Sequence, residues 1–400
     1  MMWLIKRWLQ AASPRYIPMV AGVEFVRNAL MLVVLPTLGV RKLGLSMATI
    51  GVAISAHYLF DNALRPLFGY LADDIGLNAL LGGGLLLSSA AMTGMVASRT
   101  PLALIAASAV FGMGTSALWP AVIGRLTNEV GDGERARALS AMYAAWMAAS
   151  GCGVVVANAF IPANTAFFLT ALAAILLGSG SYALLFPKRR PGKGSFHLAR
   201  VVQNWIRDWG LLFTQLRDAR WLFPGMYVQT LAIGLLIPVF SPYAKLILHD
   251  RPAQATLAML VVGGVAIGAL PLFGRLVDRI GSRPFLITGY LGAGIALALF
   301  TLQSSLWPAI TTLALAGVCY AMILPAWNNV LNSAVNQERR AAMLGIFMMV
   351  EGLGTATGPF FSGELWVTGG PRAPFWATVL IVVGMAGLYS LLRHPALARH

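Results

Sequence analysis

An eight-residue pattern occurs twice in this chain, 205 positions apart: Gly69-Tyr70-Leu71-Ala72-Asp73-Asp74-Ile75-Gly76 and Gly274-Arg275-Leu276-Val277-Asp278-Arg279-Ile280-Gly281. Each copy closes one long apolar run and precedes another. Runs of about 20–25 residues are long enough, as helices, to cross ~30 Å of hydrocarbon. The pattern therefore predicts an all-α integral membrane protein built from two related halves. Composition agrees, with 58% hydrophobic and 11% charged residues, against roughly 45–50% and ~25% in soluble domains. A soluble globular chain is excluded.

Twelve transmembrane helices are read at about 16–40, 47–72, 78–97, 101–126, 136–159, 164–186, 221–246, 255–277, 284–303, 307–331, 339–362 and 373–393. Of the 29 Lys and Arg, 21 fall on the side of the two termini, six on the other side, and Arg27 and Arg65 within spans. Positive charge marks the cytoplasmic side, so a multi-pass cell-membrane protein with both termini in the cytoplasm is expected. The net charge of +15 then reflects topology and attraction to anionic lipid rather than a nucleic-acid partner. Cys152 and Cys319 both fall in spans, which argues against a disulfide framework.

The duplication extends beyond the glycine pattern. Pro120 is answered by Pro325, and Glu134-Arg135 by Glu338-Arg339. The expected organisation is an amphipathic segment at 1–15, a six-helix bundle at 16–186, a basic linker at 187–220, a second six-helix bundle at 221–393 and a tail at 394–400. The linker carries Trp205, Ile206, Trp209, Leu212 and Phe213 on an apolar stripe, suited to lying along a membrane surface. A plain solvated tether is the alternative. Two related halves in a membrane are the architecture of a carrier that rocks about its centre.

Six plus six helices, a basic central loop and G-x-L-x-D-x-x-G after helices 2 and 8 resemble the major facilitator superfamily. The resemblance covers nearly the whole chain. The first copy departs from the family pattern, with Leu77 and Asn78 where basic residues usually follow; the second has Arg279 and Arg283 around Gly281. The resemblance implies a cytoplasmic latch. Asp73 would face the start of helix 11 near Arg339, and Asp278 the start of helix 5 near Arg135. Gly69, Gly76, Gly274 and Gly281 would let the helices approach closely.

Charges within spans are costly, about 2.5–3.5 kcal/mol each near the bilayer centre, so each needs a partner or an aqueous cavity. Glu24 and Arg27 are spaced i, i+3 in helix 1, and His57, Asp61 and Arg65 recur every four residues in helix 2, so each set shares a helix face. At 1.5 Å per residue, Glu24 and Asp61 both fall roughly 12–14 Å from the cytoplasmic end. Two acids would then share Arg27, and the cluster of Glu24, Arg27, His57, Asp61 and Arg65, with its surplus carboxylate, is the expected place for ion coupling, to proton or sodium. A static Glu24–Arg27 pair beside an Asp61–Arg65 pair is the plainer reading. The corresponding second-half residues, Gln229, Ala232 and Ala266, are neutral. Further cavity candidates are Asn28, Trp119, Tyr143, Trp146, Trp327, Asn328 and Glu351.

Proton antiporters of this superfamily often carry a G-P motif in helix 5. Here that helix has Gly151-Cys152-Gly153, and helix 11 has Gly358-Pro359 instead. Many drug exporters also place an arginine in helix 4 where this chain has Ser108. The E-x-x-R pair of helix 1 with an acid in helix 2 is similar to flippases of lipid-linked disaccharides in lipoteichoic acid assembly. That similarity implies an amphipathic or lipid-like substrate, with Glu24, Arg27 and Asp61 as headgroup and coupling residues. Export of hydrophobic drugs and transport of sugars or organic acids are the alternatives, and a non-transporting sensor of the same fold is the last. No catalytic set or metal cluster is evident, since His57 alone of five histidines lies in a span. A monomer among membrane lipids, with no organic cofactor, is expected.

Overall fold

The computed structural model describes residues 16–71, 76–129, 135–186, 203, 221–247, 252–334 and 340–392. These residues form helices joined by short turns, numbered here as twelve. Helix α1 comprises Tyr16–Ala29, a π-helical turn Leu30–Val34 and Leu35–Leu43. Then come α2 (Met47–Leu71), α3 (Leu77–Ala97) and α4 (Pro101–Thr115 with Leu118–Glu129). Helices α5 and α6 share Arg135–Leu184, parted at Asn164. In the second half are α7 (Leu222–Leu236 with Phe240–Ile247), α8 (Pro252–Ile280) and α9 (Ser282–Leu302). They are followed by α10 (Leu306–Ala334), α11 (Arg340–Gly369) and α12 (Ala373–Leu391). Among the described residues, ten segments are long and apolar enough to cross a membrane. Helices α2 and α11, of 25 and 30 residues, have the length but are not among the ten.

The breaks in these helices have local causes. Pro36 supplies no backbone N–H and crowds the carbonyl four residues before it. The preceding turn widens accordingly, so that the Leu35 N–H donates to the Leu30 carbonyl, five residues back. Thr37 Oγ1 donates to the Val33 carbonyl at 2.5 Å, occupying an acceptor there. The expected gap between helices 5 and 6 narrows to one residue. Asn164 is extended (φ −154°, ψ 86°), and its side chain accepts the Phe167 N–H at 3.0 Å, a cap for α6. Thr100 caps α4 in the same way, with Pro101 in the first turn.

The closing glycines of the repeated pattern adopt matching backbone conformations. Gly76 has φ 93° and Gly281 φ 95°, a region that side-chain-bearing residues rarely enter. This accounts for a glycine at that place in both copies. Asp73, by contrast, lies outside the described residues.

The chain forms two compact units. Among the described residues, the first holds 16–45 and 56–186, and the second holds 46–55 and 221–392. Within the first, α1 packs along the α5–α6 pair, and α3 packs on α4 and on that same pair. Within the second, α7 packs on α11, α8 on α10, and α9 on α10 and α12.

The repeat persists at the level of backbone contacts. A β-carbon at Gly112 would lie 2.2 Å from the His57 carbonyl oxygen, and one at Gly317 would lie 3.1 Å from that of Val262. A β-carbon at Gly84 would meet the Gly114 carbonyl at 2.5 Å, and one at Gly289 the Cys319 carbonyl at 3.2 Å. Every residue in the second of each pair lies 205 positions beyond its counterpart. Small residues at these crossings let helices touch where lipid offers no hydrophobic drive. Gly112→Val is therefore expected to force α4 from α2 and to destabilise the fold by about 1–3 kcal/mol or more. Gly317→Ala is expected to cost less, since its neighbour need give only slightly. Thermal unfolding in detergent compares the two.

Candidate functional site

The first unit gathers charge at one place. Glu24 and Arg27 lie on one face of α1, in the turn just before the π-helical segment. Asp61 comes from the middle of α2. Arg27 grips Glu24 with two nitrogens: Nε donates to Oε2 at 3.1 Å, and Nη2 donates to Oε1. Its remaining nitrogen, Nη1, reaches Asp61 Oδ2 at 3.1 Å. Arg65, one turn further along α2, donates to the same Asp61 oxygen at 2.5 Å. Thr115 of α4 donates to Asp61 Oδ1 at 2.9 Å. Glu24 and Asp61 are wholly buried and Arg27 is 6% exposed.

Such an arrangement is tolerable only because each charge in it is paired. Taking a carboxylate or a guanidinium out of water costs several kcal/mol per ion, and attraction offsets this only with good geometry and further hydrogen bonds. Here Glu24 also accepts the Trp119 indole N–H at 2.9 Å. Asn28 Nδ2 donates to the Glu24 backbone carbonyl at 2.9 Å and to Ser150 Oγ at 3.0 Å, tying α1 to α5. Close contact is again possible through a glycine, since a β-carbon at Gly153 would lie 2.3 Å from the Phe25 carbonyl oxygen.

The expected charge count needs correction. Arg65 was expected in the coupling set with Glu24, Arg27, His57 and Asp61, or in the plainer reading paired with Asp61, but Arg27 alone was counted against the two acids. Arg65 joins the same network, so two acids meet two guanidiniums. No carboxylate there is left over. The shared-site and paired readings are both partly right: Arg27 bridges the two acids, and Asp61 bridges the two arginines. His57 does not hydrogen-bond into the network. It is wholly buried and packs its ring on Phe111 of α4, centroids 5.1 Å apart.

Two aromatic residues flank Glu24's tryptophan. Trp119 stacks on Tyr143 with centroids 5.7 Å apart and rings 15° from parallel. Trp146 stands edge-on to both, at 6.0 and 6.5 Å. Trp119 is 8% exposed and Tyr143 41%. The group thus runs from the buried carboxylate to the surface of the first unit. Thr115 and Ser150 were missed in the sequence, because a hydroxyl within an apolar helix carries no distinguishing spacing.

In the second unit, Gln229 accepts a hydrogen bond from the Tyr290 hydroxyl. The Trp327 indole N–H donates to Glu351 Oε1 at 3.2 Å. Asn328, the next residue, is exposed and does not join this pair. No cluster of three or more His, Cys, Asp or Glu suited to a metal occurs among the described residues.

Of the expected latch residues, Asp73 and Arg339 lie outside the described residues, and Arg135 opens α5 with its side chain likewise outside them. Gly69 lies in α2 and Gly274 in α8. Asp278 is exposed near the end of α8. Arg283 caps α12 instead, donating to the Tyr389 and Ser390 carbonyls at 3.3 and 2.6 Å.

Comparison with known proteins agrees with this architecture. The chain is 26% identical over 362 residues to the proton-coupled antiporter flippase LtaA of Staphylococcus aureus (strain USA300), covering 86% of each chain. It is 25% identical over 384 residues to the protein of the same name in Staphylococcus saprophyticus, covering 92% of this chain and 91% of that one. Its fold matches the crystal structure of a D-xylose-proton symporter with a TM-score of 0.73 at 15% identity, over 96% and 98% of the two chains. The nucleoside transporter NupG matches with a TM-score of 0.71 at 14% identity, over 94% and 97%. The family profile of the Major Facilitator Superfamily matches residues 19–228 and 222–400. With both halves matched, the chain belongs to the Major Facilitator Superfamily of multi-pass membrane transporters.

Proposed function

We propose that this transporter is proton-coupled and moves an amphipathic, lipid-like solute whose polar head carries hydroxyl groups, as a glycolipid does. The observation that carries this reading is the buried network of Glu24, Arg27, Asp61 and Arg65 adjoining the stacked Trp119–Tyr143 pair. Carboxylates and guanidiniums together offer acceptors and donors to a hydroxyl-rich head, and an aromatic face suits the apolar side of a sugar ring. The name of the staphylococcal relatives, proton-coupled antiporter flippase, supports the same reading.

Proton exchange is assigned to the carboxylates of this network. Protonating Asp61 would weaken its bonds to Arg27 and Arg65 together and free donors for the solute. Releasing that proton would restore the closed network. Alternating access would expose the site to each side in turn, from a cell membrane with both chain termini in the cytoplasm.

The test is transport in proteoliposomes with a labelled glycolipid, a free disaccharide and a cationic dye, each with and without an imposed pH gradient. The glycolipid is expected to cross in a gradient-dependent manner, with the disaccharide left behind. Movement of the dye alone would replace this reading with drug export.

A further inference from the structure

We propose that Glu351 of α11 is a second proton-binding site, placed in the half of the transporter whose counterparts of Glu24, Arg27 and Asp61 are neutral. The proposal rests on the proton-coupled reading above and adds a site to it. All three ion pairs among the described residues belong to Glu24, Arg27, Asp61 and Arg65 of the first unit. Glu351 differs in kind. Its carboxylate accepts one hydrogen bond from a neutral donor, the Trp327 indole, at 3.2 Å.

The surroundings of Glu351 hold no described cation. Helix α10 contributes Trp327, and α9 contributes Tyr290. Helix α12 contributes Tyr389, which stacks on Tyr290 at 5.7 Å and meets Trp327 edge-on at 6.3 Å. Helix α7 contributes Tyr227, whose hydroxyl is hydrogen-bonded to Thr357 of α11. Residues 46–55, which belong to the same unit, contain no titratable side chain. The polar groups nearby are otherwise occupied: the Tyr290 hydroxyl goes to Gln229, and the Thr355 hydroxyl goes to the Glu351 backbone carbonyl.

A carboxylate within a span, held by an indole that itself meets the Tyr389 phenol, has its charge balanced by no described side chain. Taking up a proton removes that charge and gives the group a donor as well as an acceptor. The bound species is a single proton, and no other bond changes. The first unit then exchanges protons within an ion-pair network, whereas the second does so at a carboxyl with an aromatic partner.

The experiment is infrared difference spectroscopy on the full-length protein in lipid, without solute or gradient, between about pH 5 and about pH 9. It follows the carbonyl stretch of a protonated carboxylic acid in wild type, Glu351→Gln, Glu24→Gln and Asp61→Asn. A band lost in Glu351→Gln and kept in the other two is the expected result. Trp327→Phe should shift that band without removing it, and Glu351→Asp should retain one, so the proposal remains testable if Glu351→Gln folds poorly. A band that survives Glu351→Gln unchanged but disappears in Asp61→Asn overturns the second site and leaves the first-unit reading standing. No pH-dependent band in wild type overturns the second site directly.

Discussion

Arg27→Ala is expected to destabilise the protein by about 3–5 kcal/mol, the usual effect of removing one partner from a buried ion pair. Arg27 supplies both bonds from a guanidinium to Glu24 and one of the two to Asp61. Without it, Glu24 keeps only the Trp119 indole and the Asn28 amide, the latter at 3.5 Å. Adding Glu24→Gln should recover much of the loss, because a neutral amide no longer needs the cation. Transport should stay abolished in both variants, since the proposed head-binding donors are gone. Arg27→Lys is also expected to fail in transport, because an ammonium cannot present three nitrogens in one plane to two carboxylates. Thermal unfolding in detergent, beside transport in liposomes, separates the two effects. Equal stability of Arg27→Ala and wild type would show that the network does not hold α1 to α2.

Asp61→Asn carries the second large effect. The amide preserves shape but removes the charge that binds Arg27, Arg65 and Thr115. Hydrogen bonds to charged groups contribute about 1.5–3 kcal/mol each, so the network is expected to loosen as it would on protonation, with Arg27 and Arg65 donors freed and affinity for the polar head undiminished. Gradient-driven transport should fall to background, because an amide cannot exchange the proton. Some destabilisation should accompany the change, as Arg65 is left with no described anion. Glu24→Gln should be milder in its coupling defect, since Asp61 would still bridge the two arginines.

The fold was legible in this sequence because its determinants are local and repeated. Run length identifies the spans, and the 205-residue offset relates the halves. That offset reappears in the backbone contacts of Gly112 and Gly317, which no spacing rule would have singled out. Glu24, Arg27 and Asp61 could be placed together because the helix period fixes which face each occupies and the rise per residue fixes depth. Arg65 was named in the same set, but not its bond to the very Asp61 oxygen that Arg27 binds. Its long side chain can reach back one turn, and depth arithmetic based on Cα positions ignores that reach. The π-helical turn follows from Pro36, yet a proline alone does not say whether a helix kinks, widens or stops. Trp119 and Trp327 were named without their partners, because each donates to a carboxylate on another helix. Those meetings depend on rotation about the helix axis, which an apolar, evenly distributed surface does not specify.

Substrate-dependent proton movement measured with a pH-sensitive dye trapped in proteoliposomes bears most directly on the central claim. Wild type supplied with a glycolipid on one face should change the internal pH as the lipid crosses. Asp61→Asn, folded and reconstituted at the same density, should leave the pH unchanged. Wild-type lipid movement with no accompanying proton flux, or an undiminished flux in Asp61→Asn, would contradict the account.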